Sequence, residues 1–420
     1  MGSALPSYEE AAAMVAEAAR KLQPCGGVAE HVPLEHVAGR VLAQVLAADD
    51  DQPPFARSTR DGFACRATEA ALHQWLAVAG ATHAGQAAGG PLPPSSAWEI
   101  MTGAPVPAGA DAVVMVEHVE RDGDRVRLAA PRGASAGDNI VARGAQARRG
   151  DALLAPGTVL GPAQIALAAA CGCARLQVYA RPRVAILTTG DELVPVEAPP
   201  GPGQIRNSNA PMLAALVTAA GGDAWVLPTA ADTPASLDAA LAQALEADLL
   251  LISGGVSAGK FDLVEPALAR LGASFHFTGV RIQPGKPLVF GELPAGEATG
   301  RRRALPFFGL PGNPVSSAVT FLLFAARVLG ALAGNGQAGP RFALARLSRE
   351  TDRHAKPGLT RFLPALCDFN PSAEELPSVV TVPWQGSGDQ AAFARSNCFV
   401  VVPEEAGRLD ADAIVRILLI

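Results

Sequence analysis

The stretch LLLISGGVSAGKFD, residues 249–262, decides the fold. Its apolar run predicts a strand buried on both faces, and the Ser-Gly-Gly that follows predicts a tight loop at the strand's carboxyl end. Consecutive glycines let backbone amides approach a phosphate closely, and the helix read through LVEPALARLG adds its positive end. Ser253, Gly254, Gly255 and Ser257 are therefore candidate phosphate-binding positions. Asp262 is placed to hold a cation or polarise water. Taken alone, the two glycines fit an ordinary tight turn equally well.

Working outward, residues 182–333 alternate strand and helix: VAILTTG, APMLAALVTAAGG, AWVLPTA, a helix from Pro234 to Leu245, LLLISGG, then LVEPALARLG. Such alternation predicts a doubly wound, mostly parallel sheet that binds ligands beyond its strand ends. Three further strand-end loops carry chemistry. VAILTTGDELVP, 184–195, delivers Asp191 and Glu192 after Gly190. Adjacent acids repel unless a cation or donor is near, and a Mg²⁺ shared with a phosphate would satisfy them. The plainer reading is a helix cap at Asp191 with Glu192 in solvent. Just beyond, GQIRNSN at 203–209 precedes a helix, and one of its Asn or Ser residues is expected to cap it. RIQPGKPLVFG, 281–291, holds Lys286 between Gly285 and Pro287, a fixed cation suited to an oxyanion. FFGLPGNPVSSAVTF, 307–321, turns through Pro311, Gly312 and Asn313 into a helix whose first turn holds Ser316. No one of these loops decides the question; their convergence on one sheet does.

The flanking sequence predicts three more units. Ser7 followed by Glu10 is a capping-box pattern opening a helix with Val15, Ala18 and Leu22 on one face. Residues 1–50 with 145–181 are read as a discontinuous linking domain, and 51–144 as a β-rich insertion. After a Gly-rich linker at 334–339, residues 338–420 read as a small, barrel-like all-β domain. A length of 420 residues agrees with several cores rather than one. With 34 basic and 40 acidic residues the net charge is −6, against a nucleic-acid partner held by counterion release. The six cysteines lack disulfide density or zinc spacing, and the Cys171/Cys173 pair sits in an apolar run, so reduced, buried thiols are expected. The amino terminus lacks the pattern of a secretory signal, and AVTFLLFAARVLGALAG at 318–334, interrupted by Arg327, reads as a core helix rather than a membrane span. A cytoplasmic location is expected.

In order and spacing, TTGDELV, GQIRNSN, ISGGVSAGKFD, QPGKPLVFG and GLPGNPVSS resemble the molybdopterin molybdenumtransferase family, the bacterial MoeA proteins and the E domain of gephyrin. Upstream, PPFARSTRDGFA at 53–64 and IMTGAPVPAGADAVVMVEHV at 100–119 resemble the family's blocks, as does QGSGDQAAFARSNCFVVVP at 385–403. The resemblance implies a four-domain homodimer with clefts built from both subunits. It implies adenylylated molybdopterin and molybdate as substrates, Mg²⁺ dependence and release of AMP. Contact with the molybdopterin adenylyltransferase and with molybdoenzyme maturation factors would follow. By position, Asp61, Thr102, Glu192, Asp232 and Asp262 match family active-site residues, with Asp191, Glu192 and Asp262 as metal candidates. Lys286, Ser316, Arg361 and Ser387 match oxyanion or substrate positions. Three departures stand out: Gly144-Ala145-Gln146 where an acid is usual, Gln283 where many members carry lysine, and Arg60 before the aspartate. They leave open a carrier or scaffold that binds the cofactor without turnover. A CinA-type nucleotide pyrophosphatase shares the Gly-Asp-Glu-Leu block but not Met101–Ala104.

Overall fold

The computed structural model describes residues 5–25, 29–87, 89–129, 132–255, 263–296, 299–351, 358–369 and 376–420. Its centre is a six-stranded sheet made of β1 (Arg183–Thr188), β2 (Asp223–Val226), β3 (Leu249–Ser253), β4 (Ser274–Phe277), β5 (Val289–Leu293) and β6 (Leu305–Leu310). Their spatial order is β2-β1-β3-β6-β5-β4. The first four in that order run parallel, while β5 and β4 are antiparallel additions at one edge. Every residue of β3 and of β6 is buried, as expected for strands covered on both faces.

Side chains alternate between two cores with the strand period of two. Val184, Ile186, Leu249, Leu251, Phe308 and Leu310 meet the helix Asn209–Ala219 and the long helix from Pro314 on one face. Ala185, Leu187, Leu250, Ile252 and Phe307 meet Pro234–Ala244 and Val264–Arg270 on the other. Each fully buried Leu, Ile or Phe removes about 1.5–3 kcal/mol worth of apolar surface from water. Truncating Leu251 to alanine should therefore cost about 2–5 kcal/mol, cavity included.

The helix Pro314–Leu332 is long and apolar enough to cross a membrane by length and composition. Most of it is instead buried within this domain, where Phe321, Phe324 and Val328 fill the first core. Its middle, Phe321–Ala325, winds as a π-helical turn.

The amino-terminal helix Tyr8–Lys21 opens with the expected capping box: Glu10 N–H donates to Ser7 Oγ at 3.1 Å, and Ser7 N–H donates to Glu10 Oε2 at 2.7 Å. It packs Tyr8, Ala11, Val15 and Ala19 onto the central core. The Tyr8 ring meets Phe324 of the long helix and Phe362 of the carboxyl-terminal domain edge-on. The rest of the amino-terminal segment builds a separate core with 152–178 through the pairs Glu30–Pro33 with Arg175–Val178 and Leu46–Ala47 with Ala152–Leu154. The apolar face of the helix thus goes to the larger apolar surface available, that of the central domain.

Residues 57–141 contain a second six-stranded sheet, in the order 112–115, 62–65, 96–100, 75–82, 125–128, 119–122. The carboxyl-terminal strands close into a small barrel because Thr360–Asp368 pairs with both Ser378–Thr381 and Cys398–Val402. Ile282–Gln283 leaves the central domain to add to this barrel in parallel, setting Gln283 opposite Arg361.

Candidate active site

Between the carboxyl ends of the central strands and the barrel lies a cleft of about 1720 Å³. Its walls include Glu192, Ser253, Gly254, Lys286, Pro311, Gly312, Asn313, Ser316, Arg361 and Ser387. Ten of the positions singled out from the sequence therefore face one space.

Each wall has a local cause. Gly254 has φ +99°, and a Cβ there would stand 2.5 Å from Thr189 O, so the loop after β3 can approach β1 this closely only as glycine. Gly255 follows with φ +60°. Asn209 ties three loops, its Nδ2 donating to Ser253 Oγ at 2.9 Å and to Gly312 O at 2.6 Å. Ser208 stands at the cap position of the helix Asn209–Ala219 without a capping side-chain bond; Asn207 serves its first turn instead, its Oδ1 accepting from Ala210 N–H while its Nδ2 donates to Thr188 and Thr229. Ser317 Oγ donates to Pro311 O, holding the Pro-Gly-Asn-Pro turn against its helix. The barrel closes this turn: Val315 N–H donates to Ser387 O at 3.1 Å, and Asn313 Nδ2 donates to Ser387 Oγ at 2.8 Å. Gln390 Nε2 adds a bond to Ser208 Oγ at 2.7 Å.

The charged groups divide by exposure. Lys286 projects into the open cleft, whereas Arg361 is buried and donates through Nη2 to Gly407 O at 2.6 Å. Lys286 and Arg361 thus bring two positive charges to the walls of one volume. Thr189 Oγ1 and Asn209 Oδ1 are buried without a hydrogen-bond partner among the described residues. Such atoms are costly unless a ligand or water reaches them.

Other candidates lie elsewhere. Asp191 and Asp232 stand beside the cleft rather than in its wall, joined across the ends of β1 and β2. Asp61 and Thr102 lie in the inserted domain, outside this cleft. Thr102 gives Asp61 Oδ1 both its backbone N–H at 2.6 Å and its hydroxyl at 2.8 Å. Those two bonds, the backbone one foremost, hold the Asp61 carboxyl below the usual carboxylate range. Ser257 and Asp262 lie outside the described residues. Gln146, at the position where an acid is usual, is exposed, its backbone N–H bonded to Gln52 O. Arg206, Trp384 and Gln385 also line the cleft and were not anticipated. Asn209 was expected at most as a cap; no local pattern signals its bonds to residues 44 and 103 positions away.

A doubly wound sheet whose strand-end loops face a cleft closed by a barrel defines a multidomain α/β protein with its pocket at the carboxyl ends of the strands. Three family models match in succession: the MoeA N-terminal region (domain I and II) over residues 6–172, the probable molybdopterin binding domain over 185–331, and the MoeA C-terminal region (domain IV) over 346–420. The chain belongs to the molybdopterin molybdenumtransferase family. The molybdopterin molybdenumtransferase of Haemophilus influenzae is 33% identical over 92% of this chain and 93% of its own length. That of Bacillus subtilis is 34% identical over 94% and 90%. The crystal structure of the molybdopterin biosynthesis MoeA protein from Pyrococcus horikoshii superposes with a TM-score of 0.79 at 28% identity, covering 99% of this chain and all of the other. Matches at both ends of the chain set aside the CinA-type reading.

Proposed function

We propose that this protein inserts molybdenum into molybdopterin, taking adenylylated molybdopterin and molybdate as substrates and releasing AMP. The observation that carries the reading is the convergence of four strand-end loops with Lys286 and Arg361 on one cleft. That cleft suits a substrate with a pyrophosphate at its centre and a tetrahedral oxyanion beside it.

The amides of the Ser253–Gly255 loop and the turn at Pro311–Asn313 hold the phosphates. Lys286 and Arg361 balance their charge and that of molybdate, with Ser316 and Ser387 as hydroxyl donors. Glu192 orients water at the anhydride phosphorus and takes its proton as the phosphorus–oxygen bond to AMP breaks; the two dithiolene thiols of the pterin replace one oxygen of molybdate, which leaves as water with their two protons as two molybdenum–sulfur bonds form. Asp262 is assigned as a further acid of the reaction on its match to a family active-site position alone.

Among the described residues no three His, Cys, Asp or Glu side chains cluster to hold a metal. Mg²⁺ nevertheless binds through one or two carboxylates plus substrate phosphates, and Glu192, with Asp191 next to it, fits that donor set. Bound there, it would neutralise phosphate charge. Asp61 and Thr102, outside the cleft of their own chain, are assigned to the cleft of a second subunit in a homodimer. A cytoplasmic location belongs to this reading, as do transient contacts with the adenylyltransferase upstream and with molybdoenzyme maturation factors downstream.

Purified protein given adenylylated molybdopterin, molybdate and Mg²⁺ is expected to release AMP and to yield a cofactor that activates a molybdoenzyme apoprotein. Tight pterin binding with no AMP above background would establish a carrier instead.

A further inference from the structure

Among the described residues, Trp384 is the one aromatic side chain in the wall of the cleft. It lies on the loop after the barrel strand Ser378–Thr381, three residues before Ser387, whose carbonyl and hydroxyl dock on the turn at Asn313 and Val315. The loop is tied down: Val382 N–H donates to Pro364 O at 2.8 Å, and Gln385 N–H to Asp389 Oδ2 at 3.0 Å. The indole is half-buried against the central apolar core, so its position is fixed from behind.

The other three tryptophans are engaged by the fold. Arg127 covers Trp75, Arg183 covers Trp225 at 3.6 Å, and Trp98 Nε1 donates to Thr82 Oγ1 at 2.8 Å. Trp384 has no such ring partner, and its indole N–H has no acceptor among the described residues. Beside it the exposed amide of Gln385 is also without a partner there, whereas Asn209, Asn313 and Gln390 spend their amides on loop-to-loop bonds.

An indole face held rigidly at one wall, a spare amide at its edge and an anion cradle at the other wall suit a planar nitrogen heterocycle carried on a phosphate. Aromatic faces bind such rings by stacking, and a Gln or Asn amide reads their donor–acceptor edges. We infer that Trp384 stacks a heterocyclic ring of the substrate and that Gln385 reads its edge. The inference rests on the function proposed above, whose substrate carries two such rings, the pterin and the adenine.

The test is calorimetric titration of the full chain with AMP, 6-hydroxymethylpterin and inorganic pyrophosphate, comparing wild type with Trp384→Phe and Trp384→Leu. Phenylalanine keeps a π face; leucine keeps apolar bulk without one. W384F should bind within about threefold of wild type, and W384L should lose about tenfold or more for one ring-bearing probe. The probe that loses affinity identifies the ring. Pyrophosphate affinity should be unchanged in both variants, which also shows that they fold. Equal affinity of W384L and wild type for AMP and for the pterin overturns the stacking role and leaves the proposed function standing. A wild type that binds none of the three probes overturns both.

Discussion

Asp191 and Asp232 cap each other. Asp232 N–H donates to Asp191 Oδ1 at 3.0 Å, and Asp191 N–H donates to Asp232 Oδ2 at 3.4 Å, so the loops after β1 and β2 are clasped through reciprocal carboxylate–amide bonds. Two acids that sequence alone suggested as metal or water ligands thus each spend one oxygen on holding the cleft's edge. Because the bond accepted by Asp191 is the shorter, Asp191→Ala should destabilise more than Asp232→Ala, each by about 0.5–1.5 kcal/mol. In a double-mutant cycle followed by urea unfolding, the pair should cost less than the sum of the singles. Strict additivity would mean that the two bonds do not depend on one another.

Asp61 makes a prediction about pH. Its folded value lies below the unfolded one, so the stability it contributes is present above the ordinary carboxylate range and is lost as pH falls through the folded value. Thr102→Val removes the hydroxyl bond but keeps the backbone bond, and should move the Asp61 titration part of the way back up. Carboxylate NMR titration of wild type and variant measures this. Identical curves would remove the hydroxyl from the account.

The loop after β3 tests the anion cradle. Gly254→Ala places a Cβ against Thr189 O at a positive φ, where neither backbone can yield cheaply. It should cost about 2–4 kcal/mol or displace the loop. Pyrophosphate binding should weaken at least tenfold even where the protein remains folded, as thermal unfolding and calorimetry on the same sample would show.

The thiols supply a control on the core. Burial pushes the Cys65 and Cys398 thiols up to about 12, and raises Cys25 as well. Since the thiolate is the reactive form, these three should resist Ellman's reagent at pH 8 in the native protein. Cys173, the least buried of the six, should react first. All six should react in denaturant. Rapid native labelling of Cys65 or Cys398 would contradict the packing described for those strands.

Much of this protein was legible one segment at a time. LLLISGG became β3 with all five strand residues buried; the runs at 209–219, 234–244 and 264–270 became helices; the region 338–420, read as all-β, supplied five barrel strands. In each case the apolar period or the cap lies within about a dozen residues, so local sequence carries it. Ser7 and Glu10 are three residues apart and form their box as read.

What local sequence could not carry are the pairings between distant segments. The antiparallel edge of β5 and β4 departs from pure βαβ alternation, and nothing in LVFGE announces its direction. The amino-terminal helix shows an apolar face, but only tertiary packing assigns that face to Phe324 and Phe362 rather than to residues 152–178. The candidate site divides in the same way. Gly254, Lys286 and the Pro311–Asn313 turn could be chosen from their own loops, because a glycine pair, a lysine fixed between Gly and Pro, and a helix start are local signals. That Arg361 sits opposite Gln283, that Asn209 links Ser253 to Gly312, and that Asp191 and Asp232 clasp each other depend on contacts spanning 41 to 103 residues. Such contacts form only when buried strands and closed sheets bring distant backbones together. The sequence by itself determined the strands, helices and loops one segment at a time; the tertiary structure decided which of those loops share one cleft.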